Sequence, residues 1–201
     1  MEGSHSGRVR TLGKRVYRKV SRVRIPHPPP MKVKVKLQVP YYKQRSWINC
    51  GPAVLQMVFS YFQRDLSQRK IARQAKTTAE RGTENHDMIR VALEQGFYVY
   101  VNDHSTFFEI RHFLEKGLPV IVNFIEPTDD DAHFAVVSGI TLHKIILNDP
   151  WNGRNFKMLH RDFLTRWHSS NNKHKEWIMV IAERDFQLGK QYLPRPKKNA
   201  K

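Results

Sequence analysis

The stretch Gln44-Arg45-Ser46-Trp47-Ile48-Asn49-Cys50-Gly51-Pro52-Ala53-Val54-Leu55-Gln56-Met57-Val58 changes character at its only cysteine. From Cys50 onward, Ala53, Val54, Met57, Val58 and Tyr61 recur at helical spacing, so a long helix is expected to begin there. Pro52 suits the first turn, where its missing N–H costs no hydrogen bond. Gly51 allows another chain to approach the backbone closely. A cysteine at a helix N-terminus lies at the positive end of the aligned peptide dipoles. That field lowers the thiol pKa and favours the nucleophilic thiolate. The plainer alternative is a buried, inert cysteine that packs as a small apolar side chain. Cys50 is the only cysteine in 201 residues, so no internal disulfide forms and the thiol is free for chemistry.

Upstream, Lys32-Val33-Lys34-Val35-Lys36-Leu37-Gln38-Val39 alternates polar and apolar residues as a half-buried strand does, and Pro40 ends it. Downstream, Ser67 caps a second helix to about Ala75, and Asn85 to Gln95 forms a third that stops at Gly96. Thr106-Phe107-Phe108-Glu109 has the capping-box pattern and opens a fourth helix, ending at Gly117 before Pro119. Beyond that point short β-branched stretches dominate: Val120–Phe124, His133–Ile140, Lys144–Leu147 and Trp177–Ala182, with one helix near Arg161–His168. Helices first and strands second indicate an α+β domain with an antiparallel sheet, not alternating βαβ units.

Length and a hydrophobic fraction of 40% fit one domain with a real core. No apolar run approaches the ~20 residues of a membrane helix, and no signal-peptide core follows the basic N-terminus. A soluble, cytoplasmic protein is therefore expected, with no membrane partner. The net charge of +17 favours anionic partners, but it is concentrated at the ends. Residues 1–30 hold eight Lys or Arg against Glu2 alone, and Lys190, Arg195, Lys197, Lys198 and Lys201 have no acid among them. Nucleic acid is accordingly expected to bind only through these tails, if at all. The expected organisation is a basic extension over 1–30 ending in a proline run, a domain over 31–185, and a basic tail over 186–201.

The extension lacks any period. Ser21-Arg22-Val23-Arg24-Ile25-Pro26 with the following prolines resembles the conceptual translation of the 3′ half of a transfer-RNA gene, and Met31 follows at once. The extension is expected to be disordered or not native, with the native chain starting at Met31.

A thiolate needs a base, and histidine suits neutral pH. Of ten histidines, His133 alone opens an apolar stretch, His133-Phe134-Ala135-Val136-Val137, which would fix its ring at the mouth of a sheet. His5 and His27 lie in the extension. His86, His104, His112, His160, His168 and His174 lie among polar neighbours and read as surface residues, and His143 is at a turn. The base needs an orienting carboxylate. Asp149 ends Ile145-Ile146-Leu147-Asn148, and a hairpin of this strand with that of His133 would bring their ends together. Asp149-Pro150 is also an ordinary turn signal. Asp129-Asp130-Asp131 is the rival carboxylate source, and it lacks the spacing of a calcium loop. Gln44, six residues before Cys50, carries a side-chain amide able to donate to an oxyanion, or is a loop glutamine. The histidines show no HExxH-type spacing, which argues against a zinc site.

Taken in order, Val39-Pro40-Tyr41-Tyr42-Lys43-Gln44, Asn49-Cys50-Gly51-Pro52-Ala53, Gly82-Thr83, Gly117-Leu118-Pro119-Val120, His133-Phe134-Ala135-Val136-Val137 and Asn148-Asp149-Pro150 with Gly153 resemble the peptidase C39-like family. The resemblance covers roughly residues 37–182. It implies a papain-like fold and a thiol protease that needs no cofactor. It implies Cys50 as nucleophile, His133 as base, Asp149 as orienting carboxylate and Gln44 as oxyanion-hole donor. Asn49 departs from the Asp that many relatives carry before the nucleophile. The best-known members cut after a double glycine in leader peptides and are fused to membrane transporters, so the substrate does not carry over. The expected activity is hydrolysis of a peptide or amide through an acyl-enzyme. The rivals are an acyltransferase on the same Cys-His-Asp site and an inactive peptide-binding module.

Intact mass or N-terminal sequencing of protein from its own host is expected to show a chain starting at Met31. A peptide spanning Arg24 to Lys34 would overturn that start.

Overall fold

The computed structural model describes residues 34–188 and 191–194. The expected extension, residues 1–30, lies outside them. In chain order the elements are strand β1 (Lys34–Lys36), helices α1 (Cys50–Tyr61), α2 (Gln68–Gln74) and α3 (Asn85–Glu94), strand β2 (Tyr98–Asn102), helix α4 (Phe107–Glu115), strands β3 (Val120–Ile125), β4 (Ala132–Thr141), β5 (Lys144–Asp149) and β6 (Gly153–Leu159), helix α5 (His160–Arg166) and strand β7 (Ile178–Ala182). The seven strands form one sheet in the order β2-β7-β3-β4-β5-β6, with β1 paired to β4, and every pairing is antiparallel.

The expected helix starts are present with their caps. Ser67 accepts from the backbone N–H of Lys70, and Thr106 from that of Glu109. Gly117 follows α4 at φ +77°, the left-handed conformation that glycine adopts without penalty, and its carbonyl accepts from the Tyr61 hydroxyl at 2.8 Å. Two strands carried no assignment in the sequence, β2 and β6. They are the two ends of the strand order.

The sheet is covered on both faces. Ile121, Phe134, Val136, Met179 and Ile181 pack in one core with residues of α1, α2 and α3. Val120, Val122, Phe124, Ala135, Val137, Ile178 and Val180 pack in a second with residues of α4 and α5. Burial on both faces explains why the central strands are continuous apolar runs and do not alternate. Helix α1 is buried through Gly51–Val54 and again at Leu55, Met57, Val58 and Phe59, so it is an interior helix.

Past Ala182, Phe186 is buried against Tyr100 and Phe113, and Tyr192 exchanges backbone hydrogen bonds with Val99 at 2.8 and 3.0 Å. Among the described residues no helix is long and apolar enough to cross a membrane.

Strand β1 lies tight against β4 at Gly139, where an added Cβ would sit 2.8 Å from the Val35 carbonyl oxygen and 3.2 Å from the Lys36 Cα. Gly139→Ala is therefore expected to cost about 1–3 kcal/mol through backbone displacement. The check is the urea midpoint, which should fall with the slope unchanged.

Candidate active site

The apolar run that starts α1 leaves Cys50 as its first residue. Asn49 makes no side-chain capping bond and no acid occupies the first turn, so the positive end of the helix is uncompensated at the sulfur. Gly51 abuts Thr83: a Cβ on Gly51 would fall 2.7 Å from the Thr83 Cβ, and the Thr83 hydroxyl is 2.8 Å from that of Thr77. The Gly82-Thr83 motif thus forms a wall beside the cysteine.

The β4–β5 hairpin brings His133 and Asp149 together. His133 Nε2 donates to Asp149 Oδ1 at 2.8 Å, with side-chain exposures of 6% and 0%. Cys50 lies beside the same ring, close enough for each group to shift the other's titration. The His133 ring also packs edge-on against Phe124, with centroids 5.9 Å apart. Burial alone would raise the Cys50 thiol. The hydrogen bond and charge of His133, with the backbone N–H groups of Phe134 and Gly51, outweigh it and lower the pKa. Burial alone would likewise lower His133, but Asp149 and Cys50 push it up to about 10. Asp149 is opposed by burial and held low by His133 and by the N–H groups of Asn152 and Trp151. The directions of the three shifts all favour a Cys50 thiolate beside a His133 imidazolium and an Asp149 carboxylate.

Of the rival carboxylates, Asp130 pairs with Arg166 at 2.6 Å, and Asp129 and Asp131 are exposed. Among the described residues no group of three or more His, Cys, Asp or Glu is placed to hold a metal ion. His160 differs from the surface reading: it is half-buried and stacked on Phe107 at 4.3 Å.

Gln44 lies on the chain ahead of α1, beside the turn that follows Asp149. Asn148 Nδ2 donates to the Val39 carbonyl at 3.0 Å, and the Gln44 N–H to the Pro150 carbonyl at 3.1 Å. Gln68, buried on α2, grips both flanks: its Nε2 donates to the Lys43 carbonyl at 2.8 Å, and its Oε1 accepts from the Arg45 N–H at 3.2 Å. The Gln44 amide donates to the carbonyls of Ser46 at 3.0 Å and Trp47 at 3.3 Å, while its Oε1 is buried without a partner.

Four other site features were invisible in the sequence. Tyr41 lies near Asp149, and burial first, then that carboxylate, raises its hydroxyl pKa. Asn152 holds Asp149 and is held in turn by Glu126, and Gln68 holds the backbone on both flanks of Gln44. Asn152, Glu126 and Gln68 have no periodic or motif signature; they act through side-chain hydrogen bonds. Trp47 and Trp151 stand exposed on the two loops beside the site. A cavity of about 400 Å³ lies elsewhere, lined by Phe62, Phe113 and Phe186, and contains no member of the Cys–His–Asp group.

Comparison with known proteins follows this geometry. Residues 36–175 match the model of the Peptidase_C39 like family, and the chain belongs to that family. The fold is that of C39 peptidase domains. The peptidase domain of Streptococcus ComA, a bi-functional ABC transporter involved in a quorum sensing pathway, is 22% identical with a TM-score of 0.59, over 75% of this chain and 99% of that one. A protein described as a C39-like peptidase from Bacillus anthracis is 16% identical at TM-score 0.64, over 76% and 98%. A double glycine motif protease from an AMS/PCAT transporter, solved in complex with the leader peptide, is 17% identical at TM-score 0.57, over 73% and 93%. No curated protein matches the chain by sequence. Family and fold together support a peptidase-type enzyme.

Iodoacetamide labelling is expected to modify Cys50 near pH 6, where an ordinary thiol is almost wholly protonated. Removing the imidazole leaves burial to raise the thiol, so His133→Ala should slow labelling at that pH by about tenfold or more. Mass spectrometry of the single cysteine reports both rates.

Proposed function

We propose that the chain is a cysteine peptidase that hydrolyses a peptide or amide bond through an acyl-enzyme. The observation that carries this reading is the buried His133–Asp149 pair, bonded at 2.8 Å, beside Cys50 at the start of a buried helix.

The Cys50 thiolate attacks the carbonyl carbon of the scissile amide. The positive end of α1 and the Cys50 N–H receive the oxyanion. Gln44 joins them by turning its amide away from the Ser46 or Trp47 carbonyl, and its unpartnered Oε1 lowers the cost of leaving that arrangement. The imidazolium of His133 gives its proton to the leaving amine. Neutral His133 then takes a proton from water, which attacks the thioester and releases the acid. Asp149 keeps the ring aimed throughout. The chemistry uses only these side chains and water, which suits a thiol enzyme of a reducing cytoplasm. A peptide substrate draws support from the structural relative solved with a leader peptide. The domain proposed to act begins at Met31 and extends past Asp185, since Phe186 packs in its core and Tyr192 pairs with Val99.

The pH profile follows from the shifts. Activity should rise as pH climbs through the depressed Cys50 titration and fall again as His133 loses its proton near pH 10, because the leaving amine then lacks its acid. A peptide library incubated with the protein should show cleavage that Cys50→Ala abolishes. Gln44→Ala should lower kcat by about 10²–10³-fold, the range for one oxyanion donor. Cleavage that survives in Cys50→Ala overturns the proposal, and transfer of the acyl group to added amines in place of hydrolysis makes the chain an acyltransferase.

A further inference from the structure

We propose that Asn152, anchored on the buried carboxylate of Glu126, is a positioning residue that aims Asp149 at His133. This inference rests on the peptidase reading.

The two oxygens of Asp149 have different work. Oδ1 accepts from His133 Nε2 at 2.8 Å, and also from the backbone N–H groups of Trp151 at 2.8 Å and Asn152 at 3.0 Å. Oδ2 accepts from Asn152 Nδ2 at 3.2 Å. The side-chain amide therefore fixes the rotation of the carboxylate about its Cβ–Cγ bond, and with it the direction of Oδ1. That torsion is broad in aspartate and is not set by rotamer preference alone.

The Asn152 amide is in turn fixed at three points. The other hydrogen of Nδ2 goes to Glu126 Oε2 at 3.1 Å, and Oδ1 accepts from the Thr128 hydroxyl at 2.6 Å. Glu126 is 2% exposed and accepts from the N–H groups of Thr128 and Asp129 as well. Burial would raise its carboxyl, but those donors hold it low and ionised. The partners of this buried carboxylate are two loop N–H groups, the Asn152 amide and the Thr128 side chain, all uncharged. Its loop is tied down by Arg166 of α5, which donates to the Glu126 carbonyl at 3.3 Å and to Asp130. The chain of contacts Glu126–Asn152–Asp149–His133–Cys50 joins the end of β3, the β5–β6 turn, β5, β4 and α1.

Titratable and charged groups face this chain from each neighbouring element. They are Cys50 from α1, His133 from β4, Glu126 from the end of β3, Tyr41 from the segment ahead of α1, and the Asp130–Arg166 pair from the 128–131 loop and α5. Asn152 carries no charge, so its removal acts on aim and not on the net field.

The test measures iodoacetamide alkylation of Cys50 against pH in the full chain, with circular dichroism melting as the folding control. Asn152→Ala lets the carboxylate turn, weakens its hold on the imidazolium, and should move the acid limb of the profile up by about half to one pH unit. At any pH on the acid limb below the midpoint this is about a three- to tenfold slower reaction. Thr128→Val keeps the shape of an exposed loop residue but loses the hydroxyl donor, and should move the limb in the same direction by less. If Asn152→Ala does not fold, Thr128→Val decides alone. A fast wild type whose variants give superimposable or downward-shifted profiles overturns the positioning role and leaves the peptidase reading intact. A wild-type Cys50 that reacts no faster than glutathione overturns the peptidase reading and this inference with it.

Discussion

Asp149 is wholly buried and His133 nearly so, and each would lose its charge there without the other. Their 2.8 Å hydrogen bond keeps both ionised in a region water does not reach. It is also an expensive arrangement, because breaking either partner would strand a buried charge. The rest of the site serves that pair. Two backbone N–H groups and an asparagine amide saturate the carboxylate, Phe124 packs on the ring, and Cys50 lies beside it. An imidazole held cationic by a carboxylate lowers the pKa of the adjacent thiol, so the interaction that is costly for folding is the one that favours the Cys50 thiolate.

The fold brings the pair to the cysteine through an interior helix. Because α1 is apolar nearly all round, it sinks into the core formed with α2, α3 and one face of the sheet, and its first residue is carried to the end of β4. The Phe134 N–H, one residue beyond the base, then points at the sulfur. Thr83 closes the opposite side at Gly51, where no side chain larger than hydrogen fits. Three groups that must lie within hydrogen-bond reach thus come from elements some 80 and 100 residues apart in the chain, each fixed by packing on rigid scaffold.

The legible part of the sequence was the part with period or punctuation. Ser67 and Thr106 announced their helices because a capping hydroxyl is a local signal, and the runs in β3, β4, β5 and β7 were legible because both faces of the central sheet are apolar. The edge strands were not legible. In β6 only Met158 is buried and the run is mostly polar, while β2 is an aromatic and β-branched run of only five residues in which Val99 alone is fully buried. The four residues Gln44, Cys50, His133 and Asp149 were legible from context and from the family resemblance. Asn152, Glu126 and Gln68 were not, since an asparagine in a turn or a glutamate after a strand looks the same whether or not it holds a neighbour's carboxylate.

What turns β5 from a plain strand into the carrier of Asp149 is irregularity on both its sides. The β4–β5 ladder slips between Val137 and Gly139, and the β5–β6 ladder between Leu147 and Asp149. On the β6 side Asn155 takes φ +58°, a conformation asparagine tolerates better than most side chains, and its N–H turns to the Asn148 side chain. Asn148 spends its other end on the Val39 carbonyl and so ties the segment leading to Gln44 against the same strand. Bulges of this sort bend a strand and re-aim its side chains. Here the slip leaves Asn148 free to serve the backbone around it, while Asp149, at the strand's last position, meets the turn N–H groups of Trp151 and Asn152 on one side and His133 on the other. A regular ladder through Asp149 would offer the carboxylate only its strand neighbours. The irregular one gives it the donors that make a buried negative charge tolerable, and the buried charge is what makes Cys50 more than a free cysteine.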